Sequence, residues 1–69
     1  MPDYFVNKNA QNNGDHQIHR DGCRRLPAAI NRESLGFHNG CQSAVTAAKL
    51  KGYSNVNGCA WCARECHAR

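Results

Sequence analysis

The sequence predicts a small α+β fold, in which a short antiparallel β-sheet of about three strands packs on one α-helix at about residues 41–51. Three observations point to it. Tyr4-Phe5-Val6 and the stretch His16 to Arg20 flank an Asn-rich segment, as two strands flank a turn. Cys41, Ala44, Val45 and Ala48 recur at the three- and four-residue spacing of an amphipathic helix. Five cysteines and four histidines crowd a chain of 69 residues that has few large apolar side chains.

The first strand is expected over Asp3 to Lys8, where Tyr4, Phe5 and Val6 favour extended backbone. Asn7 to Asp15 holds four asparagines and the Asn13-Gly14 pair, a strong turn signal. A second strand over His16 to Arg20 places Ile18 inward by alternation and closes a hairpin with a long loop. Leu26-Pro27 to Ser34 reads as irregular, because Pro27 removes a donor and restricts Leu26. Ser34 to His38 is the third strand, with Leu35 and Phe37 on one face. Asn39 or Gly40 then caps the helix, and Gly52 stops it after Lys49 and Lys51. The stripe of small residues implies close approach of helix to sheet.

Residues 1–69 are one domain with one core. A chain this short buries only about 60% of the surface it exposes when unfolded, so it needs a staple. The N-terminal segment carries no apolar run of signal-peptide length and no membrane-spanning segment, which predicts a cytoplasmic protein with reduced thiols. The odd cysteine count rules out complete internal pairing. Metal is the better staple, and zinc suits clustered Cys and His.

Gly58-Cys59-Ala60-Trp61-Cys62 places two sulfurs on one tight turn. His19-Arg20-Asp21-Gly22-Cys23 offers a second pair across a turn. The candidate set is therefore His19, Cys23, Cys59 and Cys62 around one zinc ion, with Cys66, His67 and His16 as alternates. His16 is three residues from His19, so the two point to opposite faces of a strand. The competing reading of the cluster is reduced, metal-free thiols. Cys41, on the apolar stripe, reads as a small buried hydrophobe. A Cys41–Cys66 disulfide is open under oxidising conditions, and spacing does not decide it.

Nine Lys and Arg stand against five Asp and Glu, a formal charge of +4 that suits an anionic partner and also ordinary solubility. Arg24, Arg25, Lys49 and Lys51, with Trp61 as an aromatic, are the candidate nucleic-acid contacts. A protein partner is equally open, and no small-molecule substrate is indicated. No catalytic triad, phosphate-binding loop or paired-carboxylate pattern occurs, so the chain reads as non-enzymatic. The alternative is thiol chemistry, with Cys59 and Cys62 as a redox pair or Cys23 as an alkyl acceptor.

His19-x-x-x-Cys23, Asn31, Leu35-Gly36-Phe37, Ala44-Val45, Gly52-Tyr53 and Cys59-x-x-Cys62 occur in an order that resembles the zinc-binding N-terminal domain of the Ada DNA-repair methyltransferase. The same Asn-Gly-Asp-His, Gly-Cys, Leu-Pro and Asn-Gly-Cys landmarks look like those of short stand-alone bacterial proteins. The Ada-like resemblance implies a zinc fold. In that family four cysteines bind the ion and one accepts a methyl group from DNA. Here the first ligand position is His19, which leaves Cys23 as the matching sulfur.

Overall fold

Strand β1 (Asp3–Asn7) lies at the centre of the molecule, hydrogen-bonded on one side to β2 (His16–Arg20) and on the other to β3 (Arg32–Phe37). The computed structural model describes residues 3–11 and 14–67. Both of these pairings are antiparallel. Helix α1 (Cys41–Leu50) follows β3, and a fourth strand, β4 (Val56–Gly58), pairs parallel to β2. The sheet order is β3-β1-β2-β4. The α+β class expected from the sequence is the one observed. Among the described residues the sheet is mixed and has four strands, where about three antiparallel ones were expected.

Parallel pairing needs a long connection, and β3 with α1 supplies it between β2 and β4. β4 escaped the sequence because its three residues, Val56-Asn57-Gly58, carry no apolar alternation. The stretch from Leu26 to Ser34, expected to be irregular, contains a short 3-10 turn at Ala29–Asn31 and the start of β3 at Arg32. Asn12 and Asn13 of the expected turn lie outside the described residues.

The inward residues alternate as the strand period requires. Tyr4, Val6 and Ile18 are buried beneath α1, and Cys41, Ala44 and Ala48 face them from the helix. Val45, the remaining member of the expected stripe, is half-buried against the same cluster. Phe37 departs from the pattern. Leu35 is buried, but Phe37 is 55% exposed. The pairing of β1 with β3 slips between Tyr4 and Phe5, leaving Leu35 as an extra residue beside Gly36, whose φ is 81°. A bulge of this kind breaks the two-residue alternation and turns Phe37 to the other face.

The helix begins at Gly40 with no side-chain cap. It ends as expected at Gly52, whose N–H donates to Lys49 O while Tyr53 N–H donates to Ala48 O. That pair of bonds is the Schellman arrangement, which satisfies two of the last free carbonyls. Tyr53 then donates its hydroxyl to Glu33 Oε1 at 2.8 Å, and Lys51 Nζ lies 3.5 Å from Glu33 Oε2. The end of α1 is thereby tied to the start of β3.

Candidate metal centre

The parallel pair of strands positions the centre. Ile18 stands opposite Gly58, and Cys59 N–H donates to Ile18 O at 2.9 Å. Because β2 and β4 run the same way, their C-terminal ends reach the same edge. His19 and Cys59, one residue further along each strand, therefore arrive side by side. The chain turns immediately after each. Cys23 N–H donates to Arg20 O at 3.1 Å and brings Cys23 back over His19. Ala63 N–H donates to Cys59 O at 2.9 Å and brings Cys62 back over Cys59.

One ligand atom each from His19, Cys23, Cys59 and Cys62 lies within 4.8 Å of all the others. His19 Nδ1 is 3.7 Å from Cys23 Sγ and 3.9 Å from Cys62 Sγ, and Cys23 Sγ is 3.9 Å from Cys59 Sγ. A tetrahedral ion with sulfur at about 2.3 Å and nitrogen at about 2.0 Å needs ligand–ligand edges of about 3.5–3.8 Å. The cluster matches that size, so it can hold a metal ion. His19 and Cys59 are almost wholly buried, while Cys23 and Cys62 are half-exposed.

Backbone N–H groups point at the sulfurs. Arg25 donates to Cys23 Sγ and Trp61 to Cys59 Sγ, both at 3.4 Å, and Arg20 donates to Cys62 Sγ at 3.2 Å. Such donors favour the thiolate. Burial raises the Cys59 thiol, but the amides of Trp61 and Cys62 and the neighbouring thiols outweigh it, leaving Cys59 below its ordinary value. Burial pushes the Cys62 thiol up to about 12, and Cys23 and Cys59 add to the rise against the Arg20 amide. One thiolate is welcome here and a second is not. A divalent cation removes that repulsion and lets all three sulfurs ionise together.

Burial, and then the charge of Arg25, hold His19 below its ordinary value of 6.5. Its imidazole is thus neutral near pH 7, the form that binds metal. With the folded value depressed, its contribution is fully present above 6.5 and is lost as the pH falls through the lowered value. Metal release, followed with a chromogenic zinc indicator during acid titration, is expected to begin only on the acid side of the ordinary histidine range. Release complete at neutral pH would contradict this.

The alternates are engaged elsewhere. Cys66 is joined to Cys41 in a disulfide with a Cα–Cα distance of 6.2 Å, inside the usual span of such bonds. Cys41 sits on the buried stripe as expected, but it is not a free thiol. The N-terminal end of α1 packs against the turn that follows Cys62, which brings the two sulfurs together. His67 Nδ1 lies 3.0 Å from Gly58 O. His16 Nδ1 lies 2.9 Å from Asn7 O, and the His16 ring meets Tyr53 edge-on. His38 bridges Leu35 O and Ser43 Oγ.

A cleft of about 660 Å3 opens beside the cluster, lined by Cys23, Arg24, Arg25, Trp61 and Cys62. The Arg25 guanidinium lies over the Trp61 ring at 5.1 Å from its centroid, and Trp61 is 69% exposed. Three of the expected nucleic-acid contacts therefore meet in one place. Lys49 and Lys51 do not join them, since both belong to the end of α1 and Lys51 is paired with Glu33. In comparisons with known proteins, no family model, curated protein or solved structure matches the chain. Among the described residues no helix is long and apolar enough to cross a membrane.

Sequence reasoning left the disulfide undecided and missed the pairing of Arg25 with Trp61. One signal for the disulfide was present: five cysteines are what three thiolate ligands and one disulfide require. The Arg25–Trp61 contact has no comparable signal, because 36 positions separate the two residues.

Proposed function

We propose that this chain is a small, non-enzymatic, zinc-organised interaction module that presents Arg24, Arg25 and Trp61 to single-stranded nucleic acid. The observation that carries it is the approach of four ligand atoms, three sulfurs and one imidazole nitrogen, to within 4.8 Å of one another. That donor set in tetrahedral proportion suits zinc above harder cations. The Ada-like order of the ligand pairs agrees with this reading. Three thiolates around a divalent ion leave one net negative charge, which Arg24 and Arg25 offset at the rim.

The exposed face of Trp61 offers a stacking platform, and the adjacent guanidinium groups meet phosphate. Cytoplasmic residence loses its thiol argument, because Cys41 and Cys66 are paired and cytosolic reductants keep most thiols reduced. A cytoplasmic setting, if the chain resides there, is one in which dithiols would open that pair.

Metal analysis of protein purified without added zinc tests the first half, with one zinc per chain as the expected result. A metal-free chain with a reversible Cys59–Cys62 disulfide would overturn it. Titration of a labelled single-stranded oligonucleotide at several salt concentrations tests the second half. Trp61→Ala is expected to weaken binding by about 1–3 kcal/mol. Arg24→Ala with Arg25→Ala should lower the salt slope by about one to two. Absence of oligonucleotide affinity even at low salt would point to a protein partner instead.

One observation favours a second reading, thiol transfer. The half-exposed sulfurs of Cys23 and Cys62 border the open cleft, while Cys59 is buried. An electrophile entering the cleft would meet Cys23 or Cys62, so a Cys59–Cys62 redox pair is the less accessible form of this chemistry. Mass analysis after exposure of the zinc-loaded chain to a small alkylating agent separates the readings. Selective alkylation of Cys23 supports transfer, and uniform resistance supports a purely structural ion.

A further inference from the structure

The segment from Cys59 to His67 is held from two sides. Its first turn carries the ligand sulfurs of Cys59 and Cys62. Its second turn, Arg64–Cys66, ends in the disulfide to Cys41, the first residue of α1. Between them the backbone folds back on itself. Ala63 N–H donates to Cys59 O, Cys66 N–H donates to Ala63 O at 3.0 Å, and the His67 ring meets Gly58 O. Ala63, midway along, is buried in the core beneath α1.

Cys66 also touches the strand that delivers Cys59. A Cβ placed on Gly58 would fall 2.8 Å from Cys66 Cβ and 2.5 Å from Ala63 O. The metal-binding turn and the disulfide turn are therefore one packed unit. A shift of Cys66 away from α1 displaces the backbone on which Cys59 and Cys62 are mounted.

We propose that the Cys41–Cys66 disulfide sets how tightly the His19, Cys23, Cys59 and Cys62 cluster holds its metal, making the pair a redox control on that site. The inference rests on the zinc reading above and concerns the regulation of the same centre. With the disulfide closed, the segment is fixed to α1 before the ion arrives, so less ordering opposes binding than in the reduced chain. With it open, two of the four ligands sit on a segment tethered at one end only, and metal binding must order it. The opening step is a two-electron exchange with a dithiol. The dithiol is oxidised to its own disulfide, the Cys41–Cys66 bond breaks, and two electrons and two protons give two thiols. Coupling of this kind is reciprocal: the bound metal resists reduction of the disulfide to the same degree.

Zinc affinity, measured by competition with a chromogenic chelator, tests the proposal on three forms of the full chain. These are the oxidised protein, the protein reduced with a trialkylphosphine, and the double variant Cys41→Ala/Cys66→Ala. We expect the reduced and variant forms to bind about tenfold more weakly than the oxidised one. Where the variant fails to fold, the wild-type chain still decides. The midpoint potential of its Cys41–Cys66 pair should move about 30 mV more negative on zinc loading for each tenfold of coupling. Equal affinities with an unmoved potential overturn the proposal, and so does tighter binding after reduction. An oxidised chain that binds no zinc overturns the zinc reading itself, a result distinct from either of those.

Discussion

Chelation of the metal is expected to unfold the chain cooperatively, and restored zinc is expected to refold it. Structural zinc supplies on the order of 10 kcal/mol of folding free energy. A domain of this length holds together by roughly 3–10 kcal/mol in all. Removing the ion therefore removes more than the margin. The disulfide, closing a separation of 25 residues, contributes about 3.5 kcal/mol by limiting the unfolded chain. It is expected to keep the metal-free chain compact while the β2–β4 pairing, which delivers His19 and Cys59 to the cluster, is lost. Cys59→Ser should reproduce the loss, because this fully buried sulfur is enclosed by the other ligands. Amide hydrogen exchange reads the result directly. Continued protection of Ile18 and Cys59 amides after chelation would sink the idea that the metal organises the fold.

Gly58→Ala is expected to be the most damaging of the glycine-to-alanine changes in this protein. The new Cβ would lie 2.5 Å from a backbone oxygen, Ala63 O, and 2.9 Å from the Cys66 carbonyl carbon. Neither is the end of a flexible side chain, so the segment after Cys62 must move bodily. Overpacking of this kind costs about 3 kcal/mol. The move also drags Cys59 and Cys62 off their positions, so zinc affinity should fall together with the thermal midpoint. A variant with wild-type unfolding temperature and wild-type zinc affinity would show that the segment is free to shift.

Much of the fold was legible where the chain obeys a simple period. Ile18 between polar neighbours marked β2, and the alanine stripe marked α1, with both ends of each falling where expected. Ligand spacing was legible for the same reason, since residues on one tight turn share a neighbourhood whatever the rest of the chain does. Four features were not. Phe37 obeyed alternation in the sequence but lies beyond a bulge, and a bulge appears only when a second strand is laid alongside. β4 has one apolar residue in three and is a strand because β2 offers it a free edge. The meeting of Arg25 with Trp61 and the joining of Cys41 to Cys66 likewise follow from how α1 and β4 return to β2, a three-dimensional fact with no local trace.

The order of the closures along the chain has a consequence of its own. A metal held by the cluster would join His19 and Cys23 to Cys59 and Cys62, while the disulfide joins Cys41 to Cys66, so the metal closure begins before the disulfide loop and ends inside it. The two rings overlap like links that share a length of chain, rather than sitting one within the other. A protease cut anywhere from 42 to 58 would leave two fragments still bonded covalently through Cys41–Cys66 and bridged again through the ion. A cut from 24 to 40 would leave the fragments joined by the ion alone. Resistance to fragmentation is thus divided along the chain at Cys41, with the disulfide and the ion together guarding the later part and metal supply alone the earlier one.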